Sequence, residues 1–219
     1  MCWSSGKDSA WALHRLRAQG EVDVVGLLTT VNRDARRVSM HAVRERLLEA
    51  QAAAVGLPLT KVFIPERCVN SDYERAMASA LATAMAAGVT AVAFGDLFLA
   101  DVRRYREERL APIGIQPLFP LWALDTAALA REMVAAGLRA HITCVDPRQL
   151  DRSFVGRTYD EDLLDALPPG VDPCGERGEF HTFAYAGPMF AQPIAITPGA
   201  VVERDGFVFA DLMQTVAGG

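Results

Sequence analysis

Apolar positions in the first 122 residues follow two rhythms. Short apolar runs at 22–30 (VDVVGLLTT), 59–64 and 89–94 suit buried parallel strands. Between them lie longer segments of helical period. The pattern predicts helices over 9–19, stopped by Gly20, and over 40–55, stopped by Gly56 and Pro58. Ser71-Asp72-Tyr73-Glu74 fits a capping box, so a third helix is expected from there to Ala87. A charged helix over 99–110 and a short strand over 116–119 follow. Strands and helices alternating at this spacing indicate βαβ units and a parallel sheet.

The character changes after about residue 123. A helix is expected over 126–136 and a strand over 139–145. Thr158-Tyr159-Asp160-Glu161 fits a second capping box, opening a helix that ends at Pro168-Pro169-Gly170. Residues 201–204 and 207–210, joined by Asp205-Gly206, read as a hairpin, because that turn tolerates positive φ at both central positions. The fold class expected is therefore α/β: a parallel-sheet, Rossmann-like nucleotide-type domain over 1–122 and a smaller α+β domain over 123–219.

Residues 76–95 carry no charge, but they are mostly alanine and Gly88 divides them, so a helix and a buried strand are expected rather than a membrane span. No basic region followed by an apolar run opens the chain, and the cytoplasm is the expected compartment. The four cysteines (Cys2, Cys68, Cys144, Cys174) are far apart, which does not suggest a disulfide scaffold. Lys plus Arg is 22 and Asp plus Glu is 27, giving a net charge of −5. That balance argues against wholesale binding of nucleic acid.

The sharpest chemical feature is Ser4-Ser5-Gly6-Lys7-Asp8-Ser9 leading into a helix. Backbone amides at a helix start form an anion site, Gly6 permits close approach, Lys7 adds a point charge and the serines add hydroxyls. It lacks the first glycine of a Walker A loop, and Asp8 follows Lys7. Only Met1, Cys2 and Trp3 precede it, so the strand that normally leads into such a loop is either very short or missing from this chain.

This loop resembles the S-G-G-x-D-S signature of the PP-loop ATP pyrophosphatases. Ser5 stands at the first glycine, a mild change provided that the position avoids positive φ. Three further blocks resemble the diphthine–ammonia ligase family of that superfamily, which also counts among the adenine nucleotide alpha hydrolases. They are Gly95–Asp101 with Arg103–Arg109, Pro117–Trp122, and Cys174–Thr182 (CGERGEFHT), in the family's order. The resemblance implies ATP-dependent amidation of a carboxylate, diphthine in the named enzymes, with ammonia as nitrogen donor and AMP and pyrophosphate as products. The Ala- and Arg-rich composition suggests a GC-rich bacterial genome, and bacteria as a group are understood to lack diphthamide. The acceptor is therefore open to being a different carboxylate, protein-borne or small.

On this reading, Ser4, Ser5, Gly6 and Ser9 hold the outer phosphates of ATP, and Lys7 with Mg²⁺ neutralises the leaving pyrophosphate. Asp8 and Asp96 are the acids for Mg²⁺ or the ribose; Asp96, after Gly95 at a strand end, equally suits a helix N-cap. Thr29 and Thr30 lie at a strand end near adenine or ribose, or are ordinary strand residues. His41 is a site candidate, with a solvated or capping role as the alternative. Among the helix arginines the family pattern favours Arg104 and Arg109 toward phosphate or substrate, against a solvated salt-bridged face. Cys174, Gly175, Glu176, Gly178, Glu179 and His181 are the acceptor-binding candidates, or a plain turn with exposed acids, with Cys174 read as a buried thiol. Rival readings are a zinc site from His141, Cys144, Cys174 and His181, a tRNA-modifying enzyme of the same superfamily, and a non-catalytic ATP- or AMP-binding module. A homodimer is left open, and no membrane partner is expected.

Overall fold

A computed structural model describes residues 1–38, 41–65 and 68–215. Met1–Trp3, the residues before the loop, run parallel to β1 (Leu27–Asn32) as part of the sheet. They lie between β1 and β4 (Ala91–Ala93). Trp3 N donates to Leu28 O (2.8 Å), Leu28 N to Met1 O (2.8 Å) and Cys2 N to Ala93 O (2.9 Å).

The parallel sheet therefore runs β3 (Leu59–Ile64), β1, Met1–Trp3, β4, β5 (Gln116–Leu118). The crossovers are α1 (Lys7–Gln19), α2 (Glu45–Val55), α3 (Asn70–Ala86) and α4 (Ala100–Leu110). α1 and α2 both end on a left-handed glycine, Gly20 (φ 68°) and Gly56 (φ 70°), as predicted. A two-residue strand, β2 (Arg37–Val38), folds back antiparallel on β1. The expected start of α2 at residue 40 lies outside the described residues; the helix begins at Glu45. The uncharged stretch is the body of α3 followed by β4, and among the described residues no helix is long and apolar enough to cross a membrane.

Neither capping box forms. Ser71 lies inside α3, whose N-cap is Val69 with no side-chain bond. Thr158 and Tyr159 form β7, paired with β6 (Arg139–Val145), which leaves Asp160 to cap α6 (Glu161–Ala166) by accepting from Leu163 N at 2.9 Å. Sheet pairing claims the threonine, and the next polar residue takes the cap.

In the C-terminal half, β8 (Phe180–Ala186) fills one edge of β6. β7 and β10 (Phe207–Gln214) share the other edge, with β9 (Ile196–Arg204) outside β10. The Asp205-Gly206 turn has φ 52° and 80°, the twist that a tight hairpin needs. α5 (Thr126–Ala135) packs behind this sheet in a core continuous with the first half: Trp11, Leu47, Met133, Ile142 and Phe183 belong to one buried cluster.

The join between the halves positions the site. β8 lies against the N-terminal loop, with Ala184 N donating to Ser5 O at 3.0 Å. Gln51 of α2, fully buried, fastens both: its amide donates to Ser5 O (2.9 Å) and Ala184 O (2.6 Å) and accepts from Trp3 Nε1 (2.9 Å).

Candidate active site

The carboxyl ends of the parallel strands open into a cavity of about 610 Å³, the place where open α/β sheets bind ligands. Its walls come from both halves: Ser4, Lys7, Asp8 and Ser9 of the loop, Thr29 and Thr30 of β1, Gly95 and Asp96 after β4, Arg106 of α4, and Cys174, Gly175, Glu176, His181 and Thr182.

Gly6 is the N-cap of α1 and offers no side-chain acceptor, so apart from Lys7 N, which Thr182 Oγ1 accepts, the first-turn amides face an anion site. A Cβ on Gly6 would stand 2.9 Å from His41 Cε1 and 3.3 Å from Thr182 O, which explains the glycine. Ser4 and Ser9 brace the loop: Ser4 Oγ accepts from Gly6 N (3.2 Å) and meets Ser9 Oγ (3.1 Å), and Ser9 Oγ donates to Gly6 O (2.9 Å). The expectation that Ser5 avoids positive φ is corrected: its φ is 70°. Its side chain is also fully buried away from the cavity, and its hydroxyl has no partner among the described residues. Any contact that Ser5 makes with a ligand is therefore through the backbone.

Lys7 is not a free surface charge. It is 1% exposed, with Nζ 2.9 Å from both oxygens of Asp8 and bonded to the carbonyl of Cys174. It sits 5.3 Å and 5.5 Å from the ring centroids of Tyr159 and Phe180. Burial alone would lower its pKa, but the facing Asp8 carboxylate more than restores it, so the ammonium stays charged. Lys7 N donates to Thr182 Oγ1 at 3.1 Å, a second tie between loop and β8.

Asp96 is not a helix cap, since Leu99 holds that position in α4. Its two oxygens accept from Arg106, Oδ1 from Nη2 at 3.0 Å, and the guanidinium stacks 4.2 Å from the centroid of Phe94. Gly95 lets this turn touch the start of α1, because a Cβ there would stand 2.9 Å from Ser9 N. The choice among the arginines is corrected. Leu99, Val102 and Arg106, three and four apart, are the residues at the cavity wall, whereas Arg104 is exposed and Arg109 pairs with Glu74. Counting the helical period from Leu99 would have selected Arg106. Both threonines border the cavity, but the Thr29 hydroxyl is already spent on Trp3 O at 2.7 Å inside the sheet.

The two acids of the C-terminal motif have opposite fates. Glu179 is 2% exposed and organises its own loop, accepting from Asp172 N and Arg177 N, both at 3.0 Å. Asp172 in turn accepts from Glu176 N at 2.8 Å. Glu176 faces the cavity, with Oε1 accepting from Leu97 N at 2.8 Å and burial pushing its pKa up to about 7. Gly175, with φ 69°, sits where a Cβ would meet Phe180 O at 2.8 Å; Gly178 and Glu179 do not line the cavity. Cys174 is a buried thiol, pushed up to about 12 by burial.

His41 and His181 face each other on the wall with ring centroids 4.7 Å apart. His41 Nδ1 lies 3.1 Å from Thr182 O, and Arg44 rather than half-buried His41 is the N-cap of α2. Burial lowers His41 to about 4 and His181 to about 3, so both rings are neutral near pH 7. A second cavity of about 370 Å³ lies beyond them, walled by Arg37, Arg204, Phe207 and Phe209 and sharing Val38, Ile64, Cys68 and His181 with the first. Among the described residues no group of three or more His, Cys, Asp and Glu could hold a metal ion, which leaves the zinc reading without a site.

A parallel sheet in this order, carrying a serine–glycine–lysine loop at the head of its first helix, defines a nucleotide-binding protein of the PP-loop class. Two domain models of one family match, the diphthamide synthase N-terminal domain at residues 1–116 and the diphthamide synthase C-terminal domain at residues 125–211. The chain belongs to the diphthamide synthase family. Its relatives include the diphthine–ammonia ligases of Rattus norvegicus, 28% identical over 231 residues, and of Homo sapiens, 28% identical over 229. Both alignments span 94% of this chain and 85% of the relative. The diphthine–ammonia ligase of Danio rerio is 34% identical over 120 residues, 51% of this chain and 46% of that protein.

Proposed function

We propose that this protein is a cytoplasmic, ATP-dependent ligase that adenylates a carboxylate, diphthine or one like it, and transfers ammonia to it, releasing AMP and pyrophosphate. In this reading residues 1–122 bind the nucleotide and residues 123–219 present the acceptor. The observation that carries it is the single cavity in which Lys7 of the loop is bonded to both Asp8 and the carbonyl of Cys174, so that the nucleotide loop and the C-terminal motif are one site.

The outer phosphates of ATP lie on the amides at the start of α1, with Ser4 and Ser9 beside them. Lys7, on the lining of the same cavity, is the cation that neutralises the leaving pyrophosphate. The acceptor carboxylate arrives from the side of the second cavity, past His181, and attacks the α-phosphorus. The barrier falls through alignment and charge neutralisation rather than protein acid–base chemistry. Thr30 borders the nucleoside, and Asp96 with Arg106 forms the opposite wall. Magnesium enters with ATP as part of the substrate. Asp8 and Asp96 do not fit a metal held by the protein, because each already accepts through both oxygens from a cation, Lys7 and Arg106.

The test is incubation with MgATP, ammonium and a diphthine-bearing elongation factor. AMP and pyrophosphate are expected. ADP would contradict the reading, and nucleotide binding without turnover would leave a binding module. Lys7→Ala should lower turnover more than tenfold.

A further inference from the structure

The second half of this reaction has a proton problem. Near pH 7 ammonia is almost wholly ammonium, which has no lone pair to attack an acyl-adenylate. Resting on the ligase reading above, we propose that Glu176 is the general base of the amidation step, taking the proton from ammonium bound against its Oε2.

The cavity narrows the candidates to one. Asp8 is engaged through both oxygens by Lys7, and Asp96 through both by Arg106. His41 and His181 are held neutral by burial and are too weakly basic to retain ammonium's proton. Glu179 is turned into its own loop. Glu176 alone among these acids has an oxygen to spare: Oε1 accepts from Leu97 N, and Oε2 has no partner among the described residues. Its backbone is fixed by Asp172, so the carboxylate is held rather than floating.

The groups facing Glu176 suit a cation as ligand. Asp8 on α1 and Asp96 after β4 raise its pKa and Lys7 lowers it, while burial, the largest effect, brings it to about 7. A base works best when its pKa lies near the working pH.

Ammonium gives one proton to Glu176 Oε2, leaving NH3. The nitrogen lone pair forms the C–N bond, and the bond from the acyl carbon to the phosphate oxygen breaks with its electron pair leaving on AMP. The proton then shed by the amide nitrogen departs with the AMP phosphate. Glu176 returns its proton to water.

The test compares wild type with Glu176→Gln, whose amide oxygen can still accept from Leu97 N. AMP release is followed against pH with MgATP, the diphthine-bearing factor and a fixed total of ammonium, and again with hydroxylamine, which is largely unprotonated at neutral pH. Wild type should level off above about pH 7. Glu176→Gln should be at least tenfold slower with ammonium at pH 7 and should keep climbing about tenfold per pH unit, following free ammonia. Hydroxylamine should close most of that gap. A variant whose pH profile parallels wild type, or which loses both nucleophiles equally, overturns the role of Glu176 while leaving the ligase reading intact. Wild type that releases no AMP overturns both.

Discussion

Replacing Ser5 with glycine should stabilise this protein, although Ser5 sits in the loop that the proposed chemistry depends on. Two features of the native residue are unfavourable. A φ of 70° places a non-glycine residue in the left-handed region, at a cost of roughly 1–2 kcal/mol. Its hydroxyl is completely buried without a partner among the described residues, which costs about 1–3 kcal/mol. Two effects oppose the gain: glycine's greater freedom in the unfolded chain, about 0.5–1 kcal/mol, and the loss of a buried methylene, about 0.8 kcal/mol. The net expectation is a gain of about 1–2 kcal/mol for Ser5→Gly, seen as a Tm rise of about 2–4 °C per kcal/mol in a chain of this size. Ser5→Ala separates the causes, because it removes the hydroxyl and keeps both Cβ and the strained φ; it should match Ser5→Gly to within about 1 kcal/mol, since in glycine the relief of strain is offset by chain freedom and the lost methylene. Urea and thermal denaturation of the three proteins read both numbers. Ser5→Ala no more stable than the native protein would refute the cost given to the buried hydroxyl. A destabilised Ser5→Gly would refute the whole account of the loop.

Four further outcomes are expected. Gln51→Leu should cost about 2–4 kcal/mol in urea denaturation, since Trp3 Nε1 and the carbonyls of Ser5 and Ala184 would lose their buried partner together. Gly95→Ala should destabilise by more than 1 kcal/mol and weaken ATP binding in calorimetry, because the new methyl meets backbone at Ser9 and Asp8, which cannot step aside. Arg106→Ala should weaken ATP binding severalfold by leaving Asp96 uncompensated in the wall, whereas exposed Arg104→Ala should leave it within error. Stability should fall as pH drops from about 6.5 toward 4: folding lowers His41 and His181 to about 4 and 3, so the unfolded chain binds more protons in that window. Glu176 works in the opposite sense. Its pKa rises from 4.5 to about 7 on folding, so Glu176→Gln should gain stability above pH 7 and none near pH 4; a denaturation series over pH 4–8 checks both.

The parallel half was legible because its helices and strands differ in hydrophobic period and are punctuated by glycine. Gly20 and Gly56 end α1 and α2, and Asp205-Gly206 turns the last hairpin as read. β2 was not legible, because a strand of two residues has no period; it exists through its pairing with β1, as the segment Met1–Trp3 is placed by its bonds to β1 and β4. The capping boxes misled for a related reason, since spacing records that a cap is available and not whether a neighbouring strand has claimed the residue.

The site divides in the same way. Sequence determined which residues could carry the chemistry: a loop with Gly6 and Lys7, an acid at the end of β4, and a glycine-flanked pair of glutamates near the end of the chain. Only the tertiary structure decided their roles. Arg106 rather than Arg104 or Arg109 meets Asp96, because the turn after β4 faces one side of α4. Glu176 and Glu179 are the same residue type three positions apart, yet one faces the cavity and the other ties its own loop. The difference arises because Leu97 N reaches one, while the amides of Asp172 and Arg177 enclose the other. Such assignments depend on contacts between segments distant in the chain, which local pattern does not encode.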